Sequence, residues 1–361
     1  MRILYDHQAF TIQEYGGISR YFFELARELR IMPDLEISSS ILFSNNEYIK
    51  EDKAIGSTSF FNGFNFKKKT KLMLMINELK SSSVYKDNNF DVFHPTYYHP
   101  YYAKIKSKKP IVLTFHDLIH EKFMKQDLKT LSDKKSALCR ADAIIAISQN
   151  TKNDIVEYYG IPEKRVTVIH LASSYLGPDE GPENELKGNY LLYIGNRNNY
   201  KNFKFFVKAI APLLLGQPNL ALYCAGDKAF TKEEQILLQE LHIINSVKHF
   251  PVSDENLGGL YSNALAFFFP STYEGFGIPL LEAMNCGCPI GASQTGSLPE
   301  VAGDAALYFD PYDESSILAV AETLITTPSI RSTLRQRGYL RSKEFSWAKT
   351  AQLTYDLYRN L

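Results

Sequence analysis

The sequence lacks a long apolar segment, an excess of either charge and a cysteine pattern of the kind that binds metal. No window approaches about 18 uninterrupted apolar residues, so we expect no transmembrane helix. The chain has 361 residues with 40 basic and 40 acidic side chains, a balance that gives no basis for nucleic-acid binding. No signal peptide precedes the first strand-like segment, so we expect a cytoplasmic protein. We expect reduced core cysteines at Cys139, Cys224, Cys286 and Cys288.

Short apolar runs alternate with helix-like segments along the chain, which predicts parallel sheets with crossover helices. The predicted strands of the first half are 2–5, 37–43, 91–94, 110–115, 143–147 and 166–169. After a Pro/Gly-rich linker at 173–182 the pattern restarts, with predicted strands at 189–194, 219–225, 247–250, 265–269 and 288–292. We therefore predict an α/β protein with two doubly wound domains, at residues 1–175 and 185–345.

Two carboxylates, Glu274 and Glu282, flank a Gly-x-Gly-x-Pro turn that follows the apolar run 264–269. The proline near the start of the next segment is typical of a helix N-terminus. We therefore expect a strand-to-helix loop with backbone N–H groups that suit an anionic or hydroxyl-rich ligand.

A second candidate site follows the predicted strand 189–194, where Arg197 and Lys201 lie four positions apart before a helix. A guanidinium can form two parallel bonds to phosphate oxygens, and an ammonium adds a mobile point charge. We expect both side chains on a loop and not in a core. The sequence therefore indicates a site for a departing nucleoside diphosphate.

Two features of the first half also lie at predicted strand ends. Gly16 and Gly17 precede a helix, and adjacent glycines allow a ligand to approach the backbone closely. His116 ends the strand 110–115, at the edge of the sheet where ligand sites collect.

These segments resemble the Glu-x7-Glu, Gly-x-Arg-x3-Lys-Asn and glycine-loop motifs of glycosyltransferase family 4, a retaining family with the GT-B fold. The resemblance implies two Rossmann-like domains facing across a cleft, with a C-terminal helix at 346–361 that crosses back to the N-terminal domain. It implies that the first domain binds the acceptor and the second binds a nucleotide sugar. The implied catalytic residues are His116, Arg197, Lys201 and Glu274. The implied donor-binding residues are Gly16, Gly17, Gly275, Phe276, Gly277, Ile278 and Glu282.

The lysine-rich segment Lys67, Lys68, Lys69 and Lys71 lies beside apolar residues. These lysines could bind an anionic partner, either the inner face of the cytoplasmic membrane or a polyprenyl diphosphate. Alternatively, they could form the solvated face of an amphipathic helix. Tyr97 and Tyr98 could stack on acceptor sugars or pack in the core.

The resemblance favours a hexosyltransferase of bacterial O-antigen or exopolysaccharide synthesis, with GDP-mannose preferred over UDP-sugars as donor. The acceptor would be a glycan or a polyprenyl-diphosphate-linked oligosaccharide. No Asp-x-Asp motif occurs, so we expect no catalytic metal and no cofactor. The alternatives are a sugar-nucleotide epimerase of the same fold, a glycosidase, whose paired carboxylates Glu274 and Glu282 match poorly, and a non-catalytic nucleotide-sugar-binding protein.

Overall fold

The structure is a computed structural model that describes the chain except residues 51, 53–54, 62, 65, 176, 178–188, 198, 227 and 253. The chain divides into two compact units, residues 1–171 with 346–361, and residues 172–345. Most of the predicted linker at 173–182 falls outside the described residues. Both units have parallel strands joined by helices, so the predicted α/β class is confirmed.

The first unit has parallel strands in the orders β2-β1-β3 and β4-β5-β6. A single parallel bridge between Phe93 and Ile111 links β3 to the start of β4. The strands are β1 Arg2–Tyr5, β2 Glu36–Ser39, β3 Val92–His94, β4 Val112–Phe115, β5 Ala143–Ala146 and β6 Val166–Val168. Its helices up to residue 159 are α1 Gln8–Ile12, α2 Gly17–Leu29, α3 Lys69–Asp87, α4 Ile119–Phe123, α5 Leu128–Arg140 and α6 Gln149–Tyr159.

Strand β2 is shorter than the predicted strand 37–43. The backbone N–H groups of Leu42 and Phe43 donate to Oδ1 of Asn77 on α3, at 3.1 and 2.9 Å. A side chain thus takes the donors that a continuing ladder would use, and β2 ends at Ser39.

The second unit has one parallel sheet with the strand order β12-β11-β10-β7-β8-β9. Its strands are β7 Asn189–Ile194, β8 Leu220–Ala225, β9 Val247–Phe250, β10 Ala266–Phe269, β11 Ile290–Ser293 and β12 Ala306–Phe309. The helices are α7 Phe203–Gly216, α8 Lys232–Glu240, α9 Asp254–Asn263, α10 Ile278–Asn285, α11 Leu298–Ala302, α12 Glu314–Thr326 and α13 Pro328–Ser342. The order reverses between β7 and β10, the kind of position where ligands bind in such sheets.

Burial on both faces of this sheet explains why β10 is an uninterrupted apolar run. Phe268 of β10, Leu222 of β8, Phe206 of α7 and Ile317 of α12 are fully buried in one core. A parallel sheet covered by helices on both sides requires such strands.

The last helix, α14 (Trp347–Arg359), belongs to the first unit, in line with the expected C-terminal helix. The Tyr358 hydroxyl lies 2.6 Å from Nδ1 of His94, and the Thr350 hydroxyl donates to the carbonyl of His170 at 2.8 Å. None of the described helices combines the length and apolarity needed to cross a bilayer.

Candidate active site

The loops that follow β7 and β10 leave neighbouring strands at the point where the strand order reverses. Lys201 lies on the first loop and Glu274 on the second. The loops are joined directly, because the backbone N–H of Thr272 donates to the carbonyl of Tyr200 at 2.8 Å. The fold of the second unit alone therefore brings these two predicted residues together.

Lys201 and Glu274 form an ion pair with 2.6 Å between Nζ and Oε1. Their side chains are only 14% and 11% exposed, so the pair is less screened by solvent than a surface pair. The ammonium also lies 5.2 Å from the centre of the Phe269 ring. An anion that enters this site would compete with Glu274 for Lys201.

The glycine loop after Glu274 leads into α10. Gly277, the residue before the helix, has a φ of +107°, which an L-residue rarely adopts. A Cβ there would lie 3.0 Å from Cδ2 of Leu298. In the described part of the chain no side chain caps α10, so the dipole and N–H groups of its first turn favour an anionic or oxygen-rich ligand.

Ser297, which the sequence analysis did not select, supports this loop. Its buried hydroxyl lies 2.9 Å from the carbonyl oxygens of both Glu274 and Phe276. These bonds fix the backbone of the two residues between which Gly275 lies. The segment 296–303 predicts only a turn and a short helix, so its contact with residues 274–276 could not be predicted from the sequence.

Glu282 lies on α10, as predicted. Its Oε2 accepts a hydrogen bond of 3.0 Å from the hydroxyl of Tyr261 on α9. Burial raises the pKa of Tyr261 well above its usual value, and Glu282 raises it further, so this hydroxyl stays a donor at neutral pH. The bond orients the carboxylate of Glu282.

Arg197 differs from the expectation of a loop residue outside the core, because its side chain is only 6% exposed. Its Nε donates to Oε1 of Glu234 at 2.9 Å, and its Nη2 contacts the carbonyls of Lys228 and Ala229, both at 2.8 Å. The guanidinium also lies 4.9 Å from the centre of the Phe230 ring. Because Nε and Nη2 are already bonded, this geometry leaves no pair of guanidinium nitrogens for a fork onto two phosphate oxygens.

His116 is a buried residue of the first unit. Its backbone N–H donates to the hydroxyl of Tyr98 at 2.9 Å, and its ring meets that of Tyr21 edge to face at 5.4 Å. Its Nε2 has no hydrogen-bond partner among the described residues. Burial lowers the pKa of His116 to about 4. The carboxylate of Asp117 opposes this shift, and the ammonium of Lys134 adds to it. The imidazole is therefore neutral at neutral pH.

A buried ion pair lies beneath the loop of His116, and sequence reasoning missed it. The Nζ of Lys134 is 2.9 Å from Oε2 of Glu121 and 2.8 Å from the carbonyl of Asp117. Both charged side chains are at most 1% exposed. This pair fixes the turn after β4, and its members lie too far apart in the chain to form a recognisable motif.

Gly16 and Gly17 lie at the start of α2, as predicted. A Cβ at Gly16 would lie 2.4 Å from the side chain of Gln13, whose Oε1 accepts the N–H of Ser19 at 2.9 Å. A Cβ at Gly17 would meet no atom within 4 Å. A side chain at Gly16 would therefore displace the Gln13 amide from the N–H of Ser19, whereas one at Gly17 would displace no neighbour.

Of the two alternatives for Tyr97 and Tyr98, stacking on acceptor sugars or packing in the core, Tyr98 follows the second. It is 4% exposed, its ring packs 5.2 Å from that of Phe115, and its hydroxyl accepts the backbone N–H of His116. Tyr97 is only partly buried. It lines a cavity of about 510 Å³ with His7, Leu74, Met75, Glu78, His99 and Asp133.

This cavity lies where the strand order of the first unit reverses between β1 and β3. Gln8, after β1, bonds the backbone of His99, after β3, through both ends of its side-chain amide, at 2.8 and 3.1 Å. The His99 ring lies between the carboxylates of Glu78 and Asp133, at 3.5 and 3.4 Å. The result is an apolar wall beside a fixed polar end.

Of the predicted lysine-rich segment, Lys67, Lys68 and Lys71 are exposed, whereas Lys69 donates to the carbonyl of Phe61 at 3.0 Å. Several apolar side chains nearby are exposed as well, namely Phe64 (72%), Met75 (57%) and Leu79 (69%). If the lysines only formed the solvated face of α3, there would be no physical reason for exposed apolar side chains beside them.

The cysteines depart from expectation at one position. Cys224, Cys286 and Cys288 are buried, but Cys139 is exposed on α5.

Two protein-family models match the two halves of the chain. The family model described as "Glycosyltransferase Family 4" matches residues 15–172, and the one described as "Glycosyl transferases group 1" matches residues 179–341. The chain is 27% identical to O-antigen chain mannosyltransferase B of Escherichia coli over 96% of each chain.

Solved structures share the fold over the full length. Sucrose-phosphate synthase from Thermosynechococcus elongatus superimposes with a TM-score of 0.79 at 19% identity, over 99% of this chain and 98% of that one. Anabaena HepE in complex with UDP and glucose gives 0.77 at 18% identity, over 100% of both chains. The fold is therefore GT-B, as predicted.

Proposed function

The chain belongs to glycosyltransferase family 4, and from that premise we propose that it transfers mannose from GDP-mannose to a growing bacterial surface polysaccharide. As a glycosyltransferase it uses a nucleotide-sugar donor and a glycan acceptor. The ion pair of Lys201 and Glu274, beside the glycine loop at the start of α10, carries this assignment. The choice of mannose is supported by the relative that spans almost the whole chain and is named an O-antigen chain mannosyltransferase.

In the proposed mechanism, Lys201 moves from Glu274 to the diphosphate as the donor binds. The ammonium then stabilises the charge that develops when the bond to the sugar breaks. Glu274, released from Lys201, accepts hydrogen bonds from sugar hydroxyls, and the backbone N–H groups of residues 275–278 donate hydrogen bonds to the sugar oxygens. Arg197 assists the diphosphate, and Glu282 accepts bonds from the ribose hydroxyls.

We propose that His116 contacts the sugar through Nε2 as a neutral imidazole, since burial keeps its pKa near 4. Gly16 and Gly17 would let the donor approach the start of α2. Transfer would proceed with retention of the anomeric configuration. No metal would be needed, because Lys201 supplies positive charge to the leaving group.

For the acceptor we propose the cavity beside Tyr97, which combines an apolar wall with the polar end at His99. An apolar surface with a few fixed polar groups is typical of small-molecule sites. The natural acceptor would be a polyprenyl-diphosphate-linked oligosaccharide. Lys67, Lys68, Lys69 and Lys71, with the exposed apolar residues near them, would hold the enzyme at the inner face of the cytoplasmic membrane.

The test is transfer from GDP-mannose, with UDP-glucose in parallel, to a lipid-linked oligosaccharide, with and without EDTA. We expect acceptor-dependent release of GDP, an α-linked product by NMR and full activity in EDTA. Conversion of the donor to another sugar nucleotide would indicate an epimerase, and binding without turnover would indicate a binding protein. Loss of activity in EDTA that magnesium restores would contradict metal independence.

A further inference from the structure

The loop between β7 and α7 is attached at both ends, and Glu234 forms the attachment at one of them. At the Lys201 end, the carbonyl of Tyr200 accepts the N–H of Thr272 at 2.8 Å. At the other end, Arg197 bonds Glu234 and the carbonyls of residues 228 and 229. The segment that carries Lys201 is therefore held between the loops that follow β8 and β10.

Glu234 uses its two carboxylate oxygens for two different donors. Oε2 accepts the backbone N–H of Thr231 at 2.7 Å, which completes the capping box at the start of α8. Oε1 accepts Nε of Arg197 at 2.9 Å. The side chain is about 5% exposed, so α8 holds its carboxylate in one position.

The same contacts define what Arg197 can still bind. Nε and Nη2 point at Glu234 and at two carbonyls, and the rings of Phe203 and Phe230 lie 5.7 and 4.9 Å from the guanidinium. In the described part of the structure, Nη1 is the nitrogen group with no protein hydrogen bond. A phosphate oxygen would meet this one group.

We propose that Glu234 is a positioning residue, which acts through Arg197 to present Nη1 and the Lys201 loop to the diphosphate of the nucleotide sugar. The proposal rests on the proposed function. It assigns Glu234 no contact with substrate.

A glutamine cannot accept both of the hydrogen bonds that Glu234 accepts, and this makes Glu234→Gln an informative variant. Its amide has one acceptor and one donor group, so it can accept from Thr231 or from Arg197 but not from both. Because glutamine is acceptable in a capping box, we expect its oxygen to accept from Thr231, so that its NH2 group faces Arg197 and the acceptor of Nε is lost.

The experiment measures the binding of GDP and guanosine, with UDP and uridine in parallel, to the full-length chain by calorimetry. For Glu234→Gln we expect diphosphate binding to weaken roughly 10- to 100-fold, the range for one charged hydrogen bond, with nucleoside binding unchanged. Weaker binding of the diphosphate with unchanged binding of the nucleoside is a result that a purely structural role would not give.

Two matched variants control for charge and for helix stability. Glu233→Gln removes the same charge one residue earlier, where Glu233 makes an exposed pair with Lys204, and should bind like the wild type. Thr231→Ala breaks the capping box but leaves Oε1 for Arg197, so it should lower the melting temperature without selective loss of diphosphate binding.

A double-mutant cycle tests the route through Arg197. Glu234→Gln combined with Arg197→Lys should bind GDP no more weakly than Arg197→Lys alone. The proposal is overturned if Glu234→Gln weakens nucleoside and diphosphate equally, behaves like Glu233→Gln, or tightens diphosphate binding. If the wild type binds no nucleotide and turns over no donor, the proposed function itself fails.

Discussion

In each of the two units a glycine directly precedes one helix, but the surroundings of the two helix starts differ. At α10 of the second unit, Gly277 follows a loop held by Ser297 and flanked by the ion pair of Lys201 and Glu274. At α2 of the first unit, Gly16 is next to Gln13, a neutral amide. A helix N-terminus favours anions in both places, and in the second unit the ammonium of Lys201, paired with Glu274, lies beside the loop that leads into the helix.

The buried histidine of the first unit strengthens this contrast. His116 is neutral near pH 7, whereas Lys201 carries a charge that Glu274 balances. The difference suggests that the second unit supplies charge to the leaving group, and the first supplies neutral hydrogen-bonding groups. The following predictions test this division.

Lys201→Ala should have the largest effect, because it removes the mobile cation. Loss of a preorganised contact to developing charge raises a barrier by about 2.7–4 kcal/mol, which corresponds to roughly 100- to 1,000-fold in kcat. Steady-state kinetics with GDP-mannose measure it. The variant also leaves Glu274 without its partner, so Tm should fall. Adding Glu274→Gln should recover Tm but not activity, and wild-type turnover in Lys201→Ala would end the assignment.

The contrast between the glycine loops is partly readable from the sequence. Gly277 follows an apolar strand and precedes Pro279, and Gly16 stands between a strand and an amphipathic helix, so local patterns locate both. Glu234 and Arg197 are 37 positions apart, and nothing local pairs them. The residues from Thr231 to Glu234 form a recognisable capping box, which predicts a helix start. The bond of Glu234 to Arg197, however, depends on how α8 packs. The contact of Ser297 with residues 274 and 276 likewise depends on how the loop after β11 packs.

The neutral state of His116 predicts how stability depends on pH. Its pKa falls from 6.5 to about 4 on folding, so between these values the unfolded chain binds more protons. Stability should therefore be complete above about pH 6.5 and decline as the pH falls toward 4, by on the order of 3 kcal/mol from this residue. Denaturant unfolding of the wild type and His116→Gln at pH 7 and 4.5 measures it. An equal decline in both proteins would show that His116 does not contribute.

Glu282→Gln and Glu274→Gln should separate binding from catalysis within the second unit. Glu282 is proposed to hold the ribose equally in ground and transition states, so its variant should weaken donor binding by about 1.5–3 kcal/mol at nearly constant kcat. Glu274→Gln should mainly lower kcat. Donor titrations and saturation kinetics distinguish them, and the reverse pattern would exchange the two roles.

Alanine at Gly277, which precedes α10, and at Gly17, the first residue of α2, compares the space around the glycines of the two helix starts. Gly277→Ala places a Cβ at a φ of +107° and 3.0 Å from Leu298, so we expect a loss of about 1–2 kcal/mol in the free energy of unfolding. Gly17→Ala meets open space and should be neutral or stabilising by up to about 1 kcal/mol. Chemical denaturation of both variants measures this, and equal destabilisation would remove the difference between the loops.

The smallest effect on transfer is expected from the lysine-rich segment of the first unit, whose charge is proposed to serve the membrane and not the reaction. Lys67 is exposed, so Lys67→Gln should weaken binding to anionic phosphatidylglycerol vesicles by about 1 kcal/mol, and replacement of more lysines should add to this. Transfer to a short soluble acceptor should not change. Lys86→Gln, at the exposed far end of α3, is the matched control. If both variants bind vesicles equally well, these lysines form the solvated face of a helix. If Lys67→Gln slows transfer to the soluble acceptor, charge in the first unit contributes to the reaction and the division between the units fails.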